Sequence, residues 1–175
     1  MRKRSIFTLI GLILAVLLLN QKRISTLTSQ ISTLDSLDFI NIRSVTQNYT
    51  AHESIYITND SQLAAMANNG TGTVNDPYII ADWNITGSTI YGIYITGTTK
   101  HFRIENCWIV NSAHHGIFVD DVTSGTATIC NNTCNNNSDH GIYLGYSSSL
   151  TVANNSCNSN NENGIYLEGS VSSTI

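Results

Sequence analysis

Charge is what this chain has least of. Only 11% of its 175 residues are Asp, Glu, Lys or Arg, against about 25% in average domains. A nucleic-acid face needs clustered basic residues, and beyond Arg43 the only ones are Lys100 and Arg103. Nucleic acid is therefore excluded as a partner. Proline occurs once, at Pro77. Helical periodicity is absent from the C-terminal half, which excludes a helical bundle or a helix-containing repeat there. Asn, Ser and Thr stand where charge normally would. A neutral polar exterior of that kind suits an exported protein.

What is present is a recurring phrase. Gly92-Ile93-Tyr94-Ile95 returns as Gly116-Ile117-Phe118-Val119, Gly141-Ile142-Tyr143-Leu144 and Gly164-Ile165-Tyr166-Leu167. The glycines are 24, 25 and 23 residues apart, a period that marks stacked repeats. A second segment recurs at matching offsets, as Tyr78–Asp82, Phe102–Asn106, Ala127–Asn131 and Leu150–Asn154. A third column holds Ile85, Ile109, Cys134 and Cys157. Each period thus carries three short alternating segments divided by polar corners. A strand of four to six residues cannot bury its apolar face alone, but stacked on copies of itself at about 4.8 Å per layer it can. The expected fold is all-β: a parallel β-solenoid with three strands per coil and about four coils. Ile93, Ile117, Ile142 and Ile165 form one interior column, and Ile95, Val119, Leu144 and Leu167 another. Asn106, Asn131 and Asn154 are expected to stack at the corners, where Asn tolerates left-handed backbone.

The run NNTCNNNSDHGIYLGYSSSLTVANNSCNSNNENGIYL resembles the right-handed parallel β-helix repeat proteins, including their NosD-like, carbohydrate-binding and sugar-hydrolase branches. The likeness covers roughly residues 78–175. The preceding NNGTGTVNDPYII resembles the lead-in of archaeal surface proteins of this type. The right-handedness is implied by this resemblance and not by the period. The resemblance specifies fold and leaves activity open, because the fold hosts lyases, hydrolases, adhesins and metal-insertion proteins.

Taken in order, Met1-Arg2-Lys3-Arg4 and the apolar run Ser5 to Leu19 read as a signal peptide or a signal anchor over 1–23, with the membrane met through residues 5–19. Residues 24–50 are a Ser/Thr-rich linker. Residues 51–77 are an N-terminal cap with a short helix over 61–68, capped by Asn59-Asp60 and ended by Gly70. The β-helix occupies 78–175. Ser173-Thr174-Ile175 repeats the start of the Leu150 strand, so the chain is expected to stop mid-coil and to be part of a longer β-helix.

Four groups carry candidate chemistry. Alternation points Tyr94, Phe118, Tyr143 and Tyr166 outward; stacked, they are expected to make a flat platform for sugars or simply to brace the sheet. Asp120, beside Asp121, and Glu168 add oxygen donors at the strand ends. His114, His115, Asp139 and His140 fall on one edge and have the donor types of a transition-metal site, or are a solvated turn. Cys134 and Cys157 are adjacent in an interior column, either bridged or acting as thiols of small apolar bulk. For catalysis, only the paired Asp120-Asp121 resembles the sugar-hydrolase pattern, so no catalytic residue is assigned; no cofactor is assigned either, a metal at the histidine edge being the one candidate. The reading is an exported or cell-surface, extracellular protein that binds polysaccharide or surface glycan along its strands without catalysis. Two alternatives remain: the N-terminal part of a polysaccharide lyase or hydrolase, and a NosD-like periplasmic metal-handling protein.

Overall fold

The computed structural model describes Lys22 and residues 48–175. The leader or anchor expected over 1–23, and all but the last residues of the 24–50 linker, lie outside the described residues. Among the described residues no helix is long and apolar enough to cross a membrane.

Residues 48–175 wind through three parallel sheets, visited in turn by each coil, for about four turns. The first sheet contains β1 (Thr50–Ala51), β4 (Trp83–Thr86), β7 (Trp108–Val110) and β10 (Thr133–Asn135). The second holds β2 (Ile55–Ile57), β5 (Ile93–Thr96), β8 (Ile117–Asp120), β11 (Ile142–Gly145) and β13 (Ile165–Glu168). The third holds β3 (Tyr78–Ala81), β6 (Phe102–Glu105), β9 (Ala127–Cys130) and β12 (Thr151–Ala153). The two isoleucine-led columns pair as the repeat requires, and Ile55 and Ile57 extend them by one coil. The solenoid therefore starts before the Tyr78 boundary suggested by the repeat. β1 and β2 are too short and irregular in sequence to display the period, yet they pair in register.

The helix α1 (Asp60–Met66) sits between β2 and β3. Asn59 caps it by accepting the Gln62 amide at 3.0 Å, and Gln62 returns a bond to the Thr58 amide at 2.7 Å. It ends at Met66, short of Gly70, because Ala67 already has extended backbone. Leu63 is its one fully buried residue, and Asp60 holds the backbone and hydroxyl of Thr99 at 2.7 and 2.6 Å. One short amphipathic turn and one carboxylate thus attach the helix to the stack.

The asparagine ladder is one residue off its expected column. Asn106, Asn131 and Asn154 turn the chain in left-handed conformation, at φ 57°, 57° and 55°. The stacked amides are the next residues, which the turn carries inside. Asn132 accepts the Cys107 amide at 2.9 Å and donates to the Ile104 carbonyl at 2.9 Å. Asn155 repeats this one coil on, with the Asn132 amide and the Ile129 carbonyl, each at 2.9 Å. A second ladder joins Ser112, Asn137 and Asn160, and a third Val122, Ser147 and Ser170. These side chains meet corner backbone groups that a strand ladder cannot reach.

The repeat's glycines are set by close approach. A Cβ on Gly116 would lie 2.7 Å from the Gly141 carbonyl oxygen and 3.2 Å from Cys134 Cβ. One on Gly141 would lie 2.7 Å from the Gly164 carbonyl oxygen. Each coil thus excludes a side chain where it crosses the next. Gly116→Ala is expected to lower stability by about 1–3 kcal/mol, measured by urea unfolding. Gly125→Asn, at φ 76° with open space around it, is expected to change stability by less than about 0.5 kcal/mol.

Candidate functional site

The outer face of the second sheet is a double stack of rings. Tyr56, Tyr94, Phe118, Tyr143 and Tyr166 are in register. Their successive centroids are 4.3, 4.9, 4.7 and 5.8 Å apart, with interplanar angles of 12°, 2°, 5° and 29°. The slot before each glycine adds a second column, Tyr91, His115 and His140, spaced 5.6 and 5.1 Å. The columns interleave: His115 stacks on Phe118 and Tyr143, and His140 on Tyr166. Ring faces in the middle of the stack are covered by neighbouring rings, so these rings present their edges outward. The flat platform expected from Tyr94, Phe118, Tyr143 and Tyr166 is not this geometry. Alternation fixes the side a ring projects from, whereas stacking at the layer spacing fixes its plane.

The histidine edge is assembled as the repeat places it, but its donors are engaged. His114 Nδ1–H donates to Asp139 at 2.8 Å. His115 Nδ1 accepts the His140 amide at 3.2 Å, and His140 Nδ1 accepts the Asn163 amide at 3.0 Å. A neutral imidazole that accepts at Nδ1 carries its proton on Nε2. Neither His115 nor His140 therefore has a free lone pair for a metal. His114 alone offers Nε2, oriented by a carboxylate as metal-binding histidines are. Among the described residues, no group of three or more His, Cys, Asp or Glu is placed to hold a metal ion.

Burial lowers the His115 imidazole to about pH 4; His140 and His114 act in the same direction, and only Asp139 opposes them. The unfolded chain binds the proton near pH 6.5, so it carries more protons than the native state between these values. Stability is then full above about pH 6.5 and falls as pH drops toward 4. In an NMR titration the His115 ring should stay neutral until about pH 4. Replacing His115 by Phe should flatten the stability slope between these values, and an unchanged slope would contradict this assignment.

Where the second sheet turns toward the third, a different cluster forms. Asp120, Gly145 and Glu168 follow one another on successive coils. A Cβ on Gly145 would lie 2.1 Å from Asp120 Oδ1 and 3.0 Å from the Tyr143 hydroxyl. The missing side chain leaves the place into which both lean. Tyr143 donates to Glu168 Oε2 at 2.7 Å, and Tyr146 to Oε1 at 3.3 Å. Asp120 Oδ1 is shut off from solvent with no hydrogen-bond partner among the described residues. Burial, then Asp121 and Glu168, raise the Asp120 carboxyl above its ordinary value. Tyr146 was not singled out by the repeat. It is 64% exposed, its φ is 41°, and its ring lies against Gly169, whose absent Cβ would meet it at 2.8 Å. A bulky residue in left-handed backbone is uncommon, and such strain gathers at functional positions. The signal was its slot: Tyr146 stands where Gly97, Asp121 and Gly169 stand, all also at positive φ.

All four cysteines are free thiols. Cys134 is fully buried beneath Ile109 in the first sheet, and the Thr133–Ser156 bridge brings Cys157 next to it. Cys107 aligns instead with the Asn132 ladder, where burial pushes its thiol up to about 12. Cys130 lies on the third sheet's outer face, 3.4 Å from Arg103, which also pairs with Glu105 at 2.7 Å.

No curated protein and no solved structure matches the chain. One family model does, described as periplasmic copper-binding protein (NosD), and its match runs over residues 21–175. That match spans the whole described solenoid, and on this ground the chain belongs to the NosD family of parallel β-helix proteins.

Proposed function

We propose that this is an exported, non-enzymatic β-helix protein that binds a polyhydroxylated ligand, a glycan, at the Tyr146 corner. The observation that carries the reading is the exposed Tyr146 ring, held in left-handed backbone beside the Asp120 and Glu168 carboxylates. A pyranose offers an apolar C–H face and a rim of hydroxyls. The free face of Tyr146 suits the first, and carboxylate oxygens accept from the second. Gly145 lets Asp120 and Tyr143 lean into the corner, and Gly169 lets the Tyr146 ring lie close against the backbone. The end rings Tyr56 and Tyr166, 50% and 37% exposed, could extend the contact, whereas the edge-on middle of the stack could not. A neutral surface and the periplasmic description of the family support an exported setting. The only basic side chain within a described strand, Arg103, is on the third sheet and paired with Glu105, which favours binding over lyase chemistry on this face.

A few hydrogen bonds to charged acceptors, each contributing about 1.5–3 kcal/mol, and one stacked ring imply a Kd of roughly 0.1–1 mM. The full chain on a glycan array, displayed multivalently, is the test. Tyr146→Ala and Glu168→Gln should each remove binding, while Tyr94→Ala should keep it. Binding that survives Tyr146→Ala, or that depends on Tyr94 instead, overturns this corner as the site.

The family description brings copper as a second reading. The histidine edge is a poor donor set for it, because backbone amides occupy His115 and His140 Nδ1. The thiols suit a soft ion better.

A further inference from the structure

We infer that Cys134 and Cys157 form a two-thiolate site for a single Cu(I) ion inside the solenoid. The inference deepens the copper reading and takes only the choice of ion from it; the place comes from the register.

Both residues occupy the inward column that Ile85 and Ile109 fill on the preceding coils. The Cys134 amide donates to the Ser156 carbonyl at 2.8 Å, which fixes Cys157 as the next rung. Successive rungs of a parallel ladder lie about 4.8 Å apart, with side chains projecting in the same direction. Two thiols so placed project inward on adjacent rungs. A metal–thiolate bond is about 2.3 Å, so thiols about one rung apart would be within reach of a single ion.

Two donors in a line satisfy a soft monovalent ion and leave Zn²⁺ or Ca²⁺ short of the four or more ligands they take. This agrees with the absence, among the described residues, of any group of three or more metal-binding side chains. Glycines flank the pair: Gly116 faces Cys134 Cβ, and Gly141 faces Cys157 Cβ, at 3.2 and 2.9 Å from where their own Cβ would be. Cys157 is half-buried and gives the ion its approach, while Cys134 is closed to solvent. Loading is an exchange without redox change: one Cu(I) binds, two S–H protons leave to water, and the bridged pair carries one negative charge. The Asn160 side-chain amide, bonded to the Cys134 carbonyl at 2.9 Å, lies close against Gly141 on the same side and offers a nearby dipole.

The test is an anaerobic Cu(I) titration of the reduced full chain against bicinchoninate, read with ultraviolet thiolate-to-copper absorption and X-ray absorption at the copper edge. The expected result is one Cu(I) per chain with two sulfur neighbours. Cys157→Ala should weaken binding by more than the 10–100-fold typical of losing an outer-shell partner. Cys130→Ala and His140→Ala should leave it unchanged. Cys134→Ala can fail to fold, so the half-buried Cys157 variant, checked by circular dichroism, carries the decision. Copper that survives Cys157→Ala, or that needs His114 or His140, overturns the thiol site and leaves the copper reading standing. No copper on the parent chain overturns both. A Cys134–Cys157 disulfide formed in place of loading, seen by non-reducing mass spectrometry, overturns the site as well.

Discussion

Everything in this molecule depends on one coil lying in register on the next. A parallel ladder pairs the backbone along each strand, but not where the chain turns from one sheet into another. Those corner amides and carbonyls face inward with no strand to answer them, and an unmet buried backbone group costs about 1–3 kcal/mol. Asn132, Asn155, Asn137 and Asn160 answer them with bifunctional amides, and Ser147 and Ser170 with hydroxyls. A side chain that both accepts from one coil and donates to another also fixes the register between them. The glycine column does the complementary work by excluding any side chain where carbonyls approach. Isoleucine columns then fill the space that these polar and steric rules leave.

The same register stacks whatever projects from the coils. On the outside it aligns Tyr94 with Phe118 and Tyr143, and the repetition consumes the faces that a ligand would need. Uniform columns therefore make structure, and chemistry arises where a column breaks. Gly145 interrupts the carboxylate column and lets Asp120 and Tyr143 lean into one gap. Tyr146 interrupts a column of turn residues and pushes a ring into solvent. Cys134 interrupts a column of isoleucine and places a polarisable atom where only hydrocarbon is needed.

The fold was legible because its cause is periodic. The glycine phrase and its offset partners give the three strands, the interior columns and the Cys134–Cys157 neighbourhood directly. Four features were not, and each for a physical reason. The polar ladder runs through Asn132 and not Asn131, because the left-handed turn at Asn131 swings the following side chain inward; in a run such as NNTCNNN the sequence offers no way to choose between neighbours. The planes of the outward rings depend on layer spacing, which alternation does not encode. Tyr146 was passed over because it lies between strands, although its slot, shared with Gly97 and Gly169, was visible. The solenoid's first coil was also hidden, since β1 and β2 are joined to the rest by a helix and lack the period.

The fixed rise of the ladder acts as a ruler for what the side chains can do. About 4.8 Å is close to ring-stacking distance, so aromatic columns close up on themselves. It suits a side-chain amide reaching a neighbouring backbone, so the corner ladders form. It lets an imidazole accept the amide of the next coil, which ties up His115 and His140 and removes them as ligands. That outcome is dictated by position: the slot before the glycine lies beside a corner amide, and any histidine there is drawn into backbone bonding. A thiol in the interior column has no such backbone partner, and its nearest soft neighbour is another thiol one rung away. Histidine is the commoner metal ligand, but in this architecture the ruler and the backbone leave only His114 free to offer a ring nitrogen on that edge, whereas the interior thiols keep their lone pairs.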